Sequence, residues 1–265
     1  MPAGKFAGNS TAPVVDRVPR GGMLAGLNKF KNSALMITKK LAIVLLAILT
    51  LGTGHLFAQK KNGPVVEKMT GNNGNFIRTA NYTNNVLNGP YSEVFEKGGK
   101  TKSSGQYTLG KKTGRWDYGK SDGAKTLTEV YNATGGLTQK ITYYSNGKPN
   151  AETEYKNGKL HGVTKKYDQD GSLKSETTYA NGKEHGKQTQ HITSTSGNYV
   201  CVSHYQNGRK HGEYSEQYQK TGNLKAKGQY KQDKKDGVWI YGEAGGKKTR
   251  EETYTEGKLV DTKKL

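Results

Sequence analysis

One eight-residue phrase, Tyr-x-Asn-Gly-Lys-x-His-Gly, recurs through the second half of this chain and dictates what it can fold into. It reads Tyr155-Lys-Asn-Gly-Lys-Leu-His-Gly162, then Tyr179-Ala-Asn-Gly-Lys-Glu-His-Gly186, then Tyr205-Gln-Asn-Gly-Arg-Lys-His-Gly212. Degenerate copies start at Tyr82, Tyr107, Tyr230 and Tyr254, and the steps from Tyr155 onward are 24, 26, 25 and 24 residues. A fixed period of this size marks a repeat protein, in which each unit buries its face against its neighbours.

Within one period, residues 155–180 resolve into two strands and two turns. Asn157-Gly158 is a strong hairpin signal, because both central positions of the tight turn want positive φ. Residues 163–168 alternate as a strand, 169–171 turn the chain, and 173–180 run back, in segments rich in Thr, Tyr and Val that suit a pleated surface. No helical period follows residue 60. The expected fold is therefore all-β: an antiparallel meander of about 24-residue two-stranded repeats, forming an elongated twisted sheet. It has about fifteen strands between Phe76 and Thr255, joined by short hairpin loops. Turns alternate between the two edges, so Asn146-Gly147-Lys148 should lie opposite Asn157-Gly158 and Asn181-Gly182.

A different segment precedes the repeats. Lys39-Lys40 lead into an apolar run over 41–57 that ends at Ala58-Gln59, the pattern of a secretory signal peptide. The domain reading is a disordered or untranslated leader over 1–35, a signal peptide over 36–58, a linker over 59–75 and a repeat domain over 76–265. The protein is thus expected to be exported, to the periplasm, the cell surface or the medium. The alternative is an N-terminal membrane anchor, for which the apolar run is short. Lys and Arg number 42 against 22 Asp and Glu; without residues 1–58 the balance is 35 against 21, or +14. An apolar content of 31% is poor for one globular core, yet 17 Tyr argue against disorder. A one-dimensional stack, which needs only local burial, reconciles the two. Cys201 is alone, which excludes an internal disulfide, and reads as a small strand residue.

The phrase Tyr-x-Asn-Gly-Lys-x-x-Gly, followed by Tyr-x-x-x-Gly and Gly-x-Leu as in Tyr167-Asp-Gln-Asp-Gly-Ser-Leu173 and Tyr218-Gln-Lys-Thr-Gly-Asn-Leu224, resembles the MORN-type repeat. The nearest variant is the one in YwqK-like proteins labelled as toxin–antitoxin antitoxins, whose Gly-x-Trp is present as Gly114-Arg-Trp116 and Gly237-Val-Trp239. The resemblance covers roughly residues 80–260 and implies protein–protein or membrane-surface binding, with no shared active site.

Two sets of residues are candidates for that binding. Lys159, Lys183, Arg209, Lys210, Lys234 and Lys235 map to one edge of the meander, where a row of cations gives an additive field toward anions. Trp116, Tyr167, Tyr214, Tyr218 and Trp239 are candidates for an aromatic face, either a groove for glycan or peptide or simply the side of the sheet that must be buried. His161, His185 and His211 share one phase, but same-phase residues lie about 9–10 Å apart, too far for one ion. Lys112-Thr-Gly114, Lys220-Thr-Gly222 and Ser145-Asn-Gly-Lys148 match fragments of penicillin-binding motifs but sit in repeat turns, without the α/β context. Asp168-Gln-Asp170-Gly171 is half a calcium loop whose Gly comes too early. The reading is a non-enzymatic binding scaffold with no catalytic, cofactor or metal residues. Its partner is a protein or an anionic cell-envelope component, with membrane-surface association a further option. Export argues against nucleic acid. The alternatives are a passive envelope spacer or an antitoxin-like inhibitor of a partner protein.

Overall fold

The computed structural model describes residues 60–265; the leader and signal peptide read at 1–58 lie outside them. All regular structure in the described residues is β, in seventeen strands of one sheet. They begin with β1 (Gly63–Met69), β2 (Phe76–Thr83), β3 (Val86–Phe95), β4 (Thr101–Thr108), β5 (Lys111–Gly119) and β6 (Lys125–Tyr131). The middle is β7 (Leu137–Tyr143), β8 (Pro149–Lys156), β9 (Lys159–Tyr167), β10 (Leu173–Ala180), β11 (Lys183–Ile192) and β12 (Tyr199–Gln206). The last five are β13 (Arg209–Tyr218), β14 (Leu224–Lys231), β15 (Lys234–Gly242), β16 (Lys248–Thr255) and β17 (Lys258–Lys264).

Each strand pairs antiparallel with the one before it and the one after it, from β1–β2 through to β16–β17. The sheet is an open meander, as the period requires. The fifteen strands expected between Phe76 and Thr255 are β2 to β16. One boundary needs correction: the expected linker over 59–75 holds β1, whose Gly63 to Met69 pair with Tyr82 to Phe76. No tyrosine phrase announces this strand and it opens on Gly63-Pro64, so only its pairing with β2 reveals it.

The two edges use different turn chemistry. On the first, the turns are two residues long with both φ positive, as at Asn157 (52°) and Gly158 (73°) or Asn181 (52°) and Gly182 (86°). Asn tolerates the left-handed region and Gly is unhindered there, which is why this dipeptide recurs. On the second edge the loops are longer, and four of them, Lys120–Ala124, Tyr144–Lys148, Asp168–Ser172 and Glu243–Lys247, span five residues, each closed by the first N–H donating to the last C=O at 2.9–3.0 Å. Asn146-Gly147 therefore lies opposite Asn157-Gly158 and Asn181-Gly182, as alternation demands, and Asn146 Nδ2 donates to Gln169 O in the next loop of its own edge (2.7 Å). One wide loop, Asn132–Gly136, falls on the narrow edge, directly after Tyr131.

The closing glycine of the phrase has its own task. Tyr155 pairs with Leu160 and Thr153 with Thr164, so one residue of β8 faces three of β9, and Gly162 sits in this bulge at φ +88°. Because the bulge adds two residues it keeps the alternation in phase, and the second residue after the tight turn and the sixth share a face. Burial is local. The buried apolar side chains are Phe76, Ala80, Phe95, Trp116, Cys201, Ala226 and Trp239, too few for an interior, and lateral neighbours in a single layer supply the cover.

Candidate functional site

Register assigns every side chain near the tight-turn edge to one of two faces. The first residue after each turn pairs with the residue before it: Lys156–Lys159, Ala180–Lys183, Gln206–Arg209, Lys231–Lys234. The second pairs with the leading tyrosine on the opposite face: Tyr205–Lys210 and Tyr230–Lys235. The six cations expected as one edge are therefore divided by the period of two. Lys159, Lys183, Arg209 and Lys234 are exposed, while Lys210 and Lys235 fold over aromatic rings. The Lys210 ammonium lies 5.5 Å from the Tyr214 ring and 5.1 Å from that of Tyr230.

Among the described residues, none of the four outward cations forms an ion pair, whereas several cations further along the strands do. Lys102 meets Glu93 at 2.8 Å, Lys125 meets Asp117 at 2.8 Å, and Arg250 meets Glu252 at 2.7 Å. Lys156–Lys159 and Lys231–Lys234 place like charges directly across a turn, which costs stability rather than adding it. The aliphatic stem of Lys183 runs beside Gly208 in the next turn, and that of Lys234 beside Gly257. Turn stacks on turn through backbone bonds, with Gly182 N–H donating to Leu160 O (2.8 Å) and Gly208 N–H to Glu184 O (2.8 Å). The row is thus fixed at its base and free at its charged ends.

The tyrosine face is built differently. Trp116 and Trp239 are 1% and 2% exposed, so neither indole can serve as a platform for a ligand. Each lies flat on a glycine of the preceding strand, Gly105 or Gly228, where a Cβ would overlap the ring. Each indole N–H donates to a backbone carbonyl, Gln106 O or Gln229 O, at 3.2 Å. Tyr214 belongs to this cluster, 5.2 Å from Trp239 between ring centres. Tyr218 pairs with Tyr199 near the wide-turn edge. Tyr167 does not join them. The row Trp116–Glu129–Lys140–Thr153–Thr164 shares one face, and three further residues along β9 bring Tyr167 to the other. There burial, together with the nearby Glu152 and Glu176 carboxylates, raises its phenol pKa.

A lysine closes each tryptophan cluster. Lys235 Nζ stands 4.4 Å from the Trp239 ring and 4.6 Å from that of Tyr254, and donates to Tyr241 OH at 2.7 Å. Lys112 does the same over Trp116 (4.6 Å), donating to Tyr118 OH at 2.6 Å. Glu129 accepts from Tyr118 and Tyr131 at 2.8 Å each, and burial followed by that carboxylate pushes the Tyr131 phenol to about 12. Glu252 holds the equivalent place. Burial pushes its carboxyl up, but hydrogen bonds from Arg250, Tyr241 and Tyr254 outweigh that and hold it at about 2 against an ordinary 4.5. A depressed carboxylate adds stability above its unfolded pKa and loses it as pH falls through the folded one. Acid melts should therefore show stability declining from about pH 4.5 toward pH 2, a decline made shallower by Glu252→Gln. An NMR titration placing Glu252 near 4.5 would contradict the assignment.

The two clusters are copies. Residues 76–131 align with 199–254 without a gap, at an offset of 123. The alignment superposes Tyr91, Gly105, Tyr107, Lys112, Trp116, Tyr118, Glu129 and Tyr131 on Tyr214, Gly228, Tyr230, Lys235, Trp239, Tyr241, Glu252 and Tyr254. The pair Phe76–Phe95 beneath Lys102 recurs as Tyr199–Tyr218 beneath Lys225. The short period masks this longer one, and the glycine seats and capping lysines are legible only through it.

His161, His185 and His211 all fall at the bulge, and among the described residues no three His, Cys, Asp or Glu side chains converge as a metal site. Compared with protein-family models and with curated proteins, the chain matches none of them.

Proposed function

We propose that this chain is an exported, non-enzymatic binding scaffold that engages an anionic partner, a protein or a cell-envelope component, through its tight-turn edge. One observation carries the reading: Lys159, Lys183, Arg209 and Lys234 recur at one turn position, exposed and without carboxylate partners, while Lys102, Lys125, Lys225 and Arg250 within the strands are paired. Cations held apart from internal carboxylates keep their field for an external anion. The residues at 39–58 support export, and the repeat phrase supports a MORN-type, YwqK-like interaction module. The tyrosine face serves as the buried side of the sheet.

Replacing the four cations with Glu is expected to abolish capture of anionic envelope material. Each exposed site should cost stability no more than about 0.5 kcal/mol. Capture by the unaltered chain should weaken as salt rises, because exposed charges are screened beyond about 8 Å at physiological ionic strength. Undiminished capture by the reversed chain would refute the edge and favour a passive spacer.

A further inference from the structure

The same row carries information about the shape of its ligand. Lys159, Lys183, Arg209 and Lys234 are two strands apart at each step, ~9–10 Å, and Lys258 continues them in the same register, so the row runs about 38 Å across the strands. At this spacing each cation is screened from the next. A compact anion would meet one of them, or at most a terminal pair, Lys156–Lys159 or Lys231–Lys234. The turns add a second element at the same interval. Asn157, Asn181 and Asn207 precede Lys159, Lys183 and Arg209 by two residues, and all are exposed. Among the described residues, no hydrogen bond engages these three amide side chains. The edge therefore repeats a unit of one free amide and one free cation per hairpin.

We infer that the ligand is an extended acidic polysaccharide laid along this edge, with a carboxylate on every second sugar. This rests on the edge-binding reading above. The amide would meet hydroxyls of the neutral sugar and the cation the carboxylate of its neighbour, and a pyranose chain charged at alternate rings repeats on the scale of two strands. Double-stranded nucleic acid carries one charge per roughly 1.7 Å, far denser than this row. On the wide-turn edge Lys174 pairs with Asp168 at 3.2 Å, Lys68 pairs with Glu96 at 2.7 Å and Lys148 donates to Asp170 O, while the exposed Lys97, Lys120, Lys220 and Lys247 share no common loop position.

The test titrates the full chain with hyaluronan oligosaccharides of increasing length, which carry one carboxylate per disaccharide. Each added disaccharide should tighten binding roughly 1.5- to 5-fold, the worth of one exposed ion pair, until the row of cations ending at Lys258 is spanned, and then level off. Lys183→Glu should break the row and stop the gain after fewer disaccharides. Affinity independent of length would overturn the polymer while leaving the edge in place. So would a preference for DNA of equal charge, or an absence of oligosaccharide binding while edge-dependent capture of envelope material persists. If reversing all four cations changes neither oligosaccharide binding nor capture, the edge itself is refuted.

Discussion

Trp239→Ala is expected to lower stability by about 3–5 kcal/mol, the usual loss when a large buried aromatic is truncated. The ring is fully covered, lies on the Gly228 backbone and touches Tyr214, Tyr230 and Tyr254 at 5.2, 5.1 and 6.4 Å between centres. Its removal strips Lys235 of its main aromatic partner as well. In a stack where each unit contacts only its neighbours, the damage should stay local. Hydrogen exchange should accelerate in β13 to β16 and stay near the original rate in β8 to β10. A loss below about 1 kcal/mol, the range of surface substitutions, would mean that the indole is not core.

The second large effect is expected from adding a single methyl. Gly105→Ala puts a Cβ into the Trp116 indole, so the ring must leave its seat, at a cost of about 1–3 kcal/mol or more as overpacking. The backbone at Gly105 lies outside the left-handed region, so the penalty is one of space alone. This makes the sign reversible. In a Trp116→Ala background the same methyl meets an empty seat, and Ala is favoured over Gly in a strand by roughly 0.5–1 kcal/mol. A double-mutant cycle by denaturant melts should show strong non-additivity. Additive losses would place the indole elsewhere.

The repeat phrase made the fold legible because each of its letters does one physical job. Asn-Gly supplies two positive φ values, the closing Gly supplies the bulge, and Tyr supplies a half-buried ring once per hairpin. Strand count, edge assignment and the displaced turn at Asn146 followed from these. The limits of the site were set by features that no local pattern encodes. Lys234 and Lys235 are adjacent in sequence and alike in chemistry, yet the pleat sends one to solvent and the other onto Trp239. Tyr167 resembles the cluster tyrosines in composition, but its register position is odd relative to Thr164. Gly105 and Gly228 look like any other glycine until the cross-strand partner of each tryptophan is known. β1 was hidden because it lacks the phrase altogether.

Capture of anionic envelope material by two altered chains, measured side by side, tests the division of labour between edge and face most directly. One carries Glu at Lys159, Lys183, Arg209 and Lys234; the other carries Trp239→Ala, assayed where hydrogen exchange shows β8 to β10 still folded. The expected result is that the first loses capture with its sheet intact, while the second retains capture that still weakens with salt. Salt-insensitive capture that survives reversal of the edge and disappears with Trp239 would contradict it.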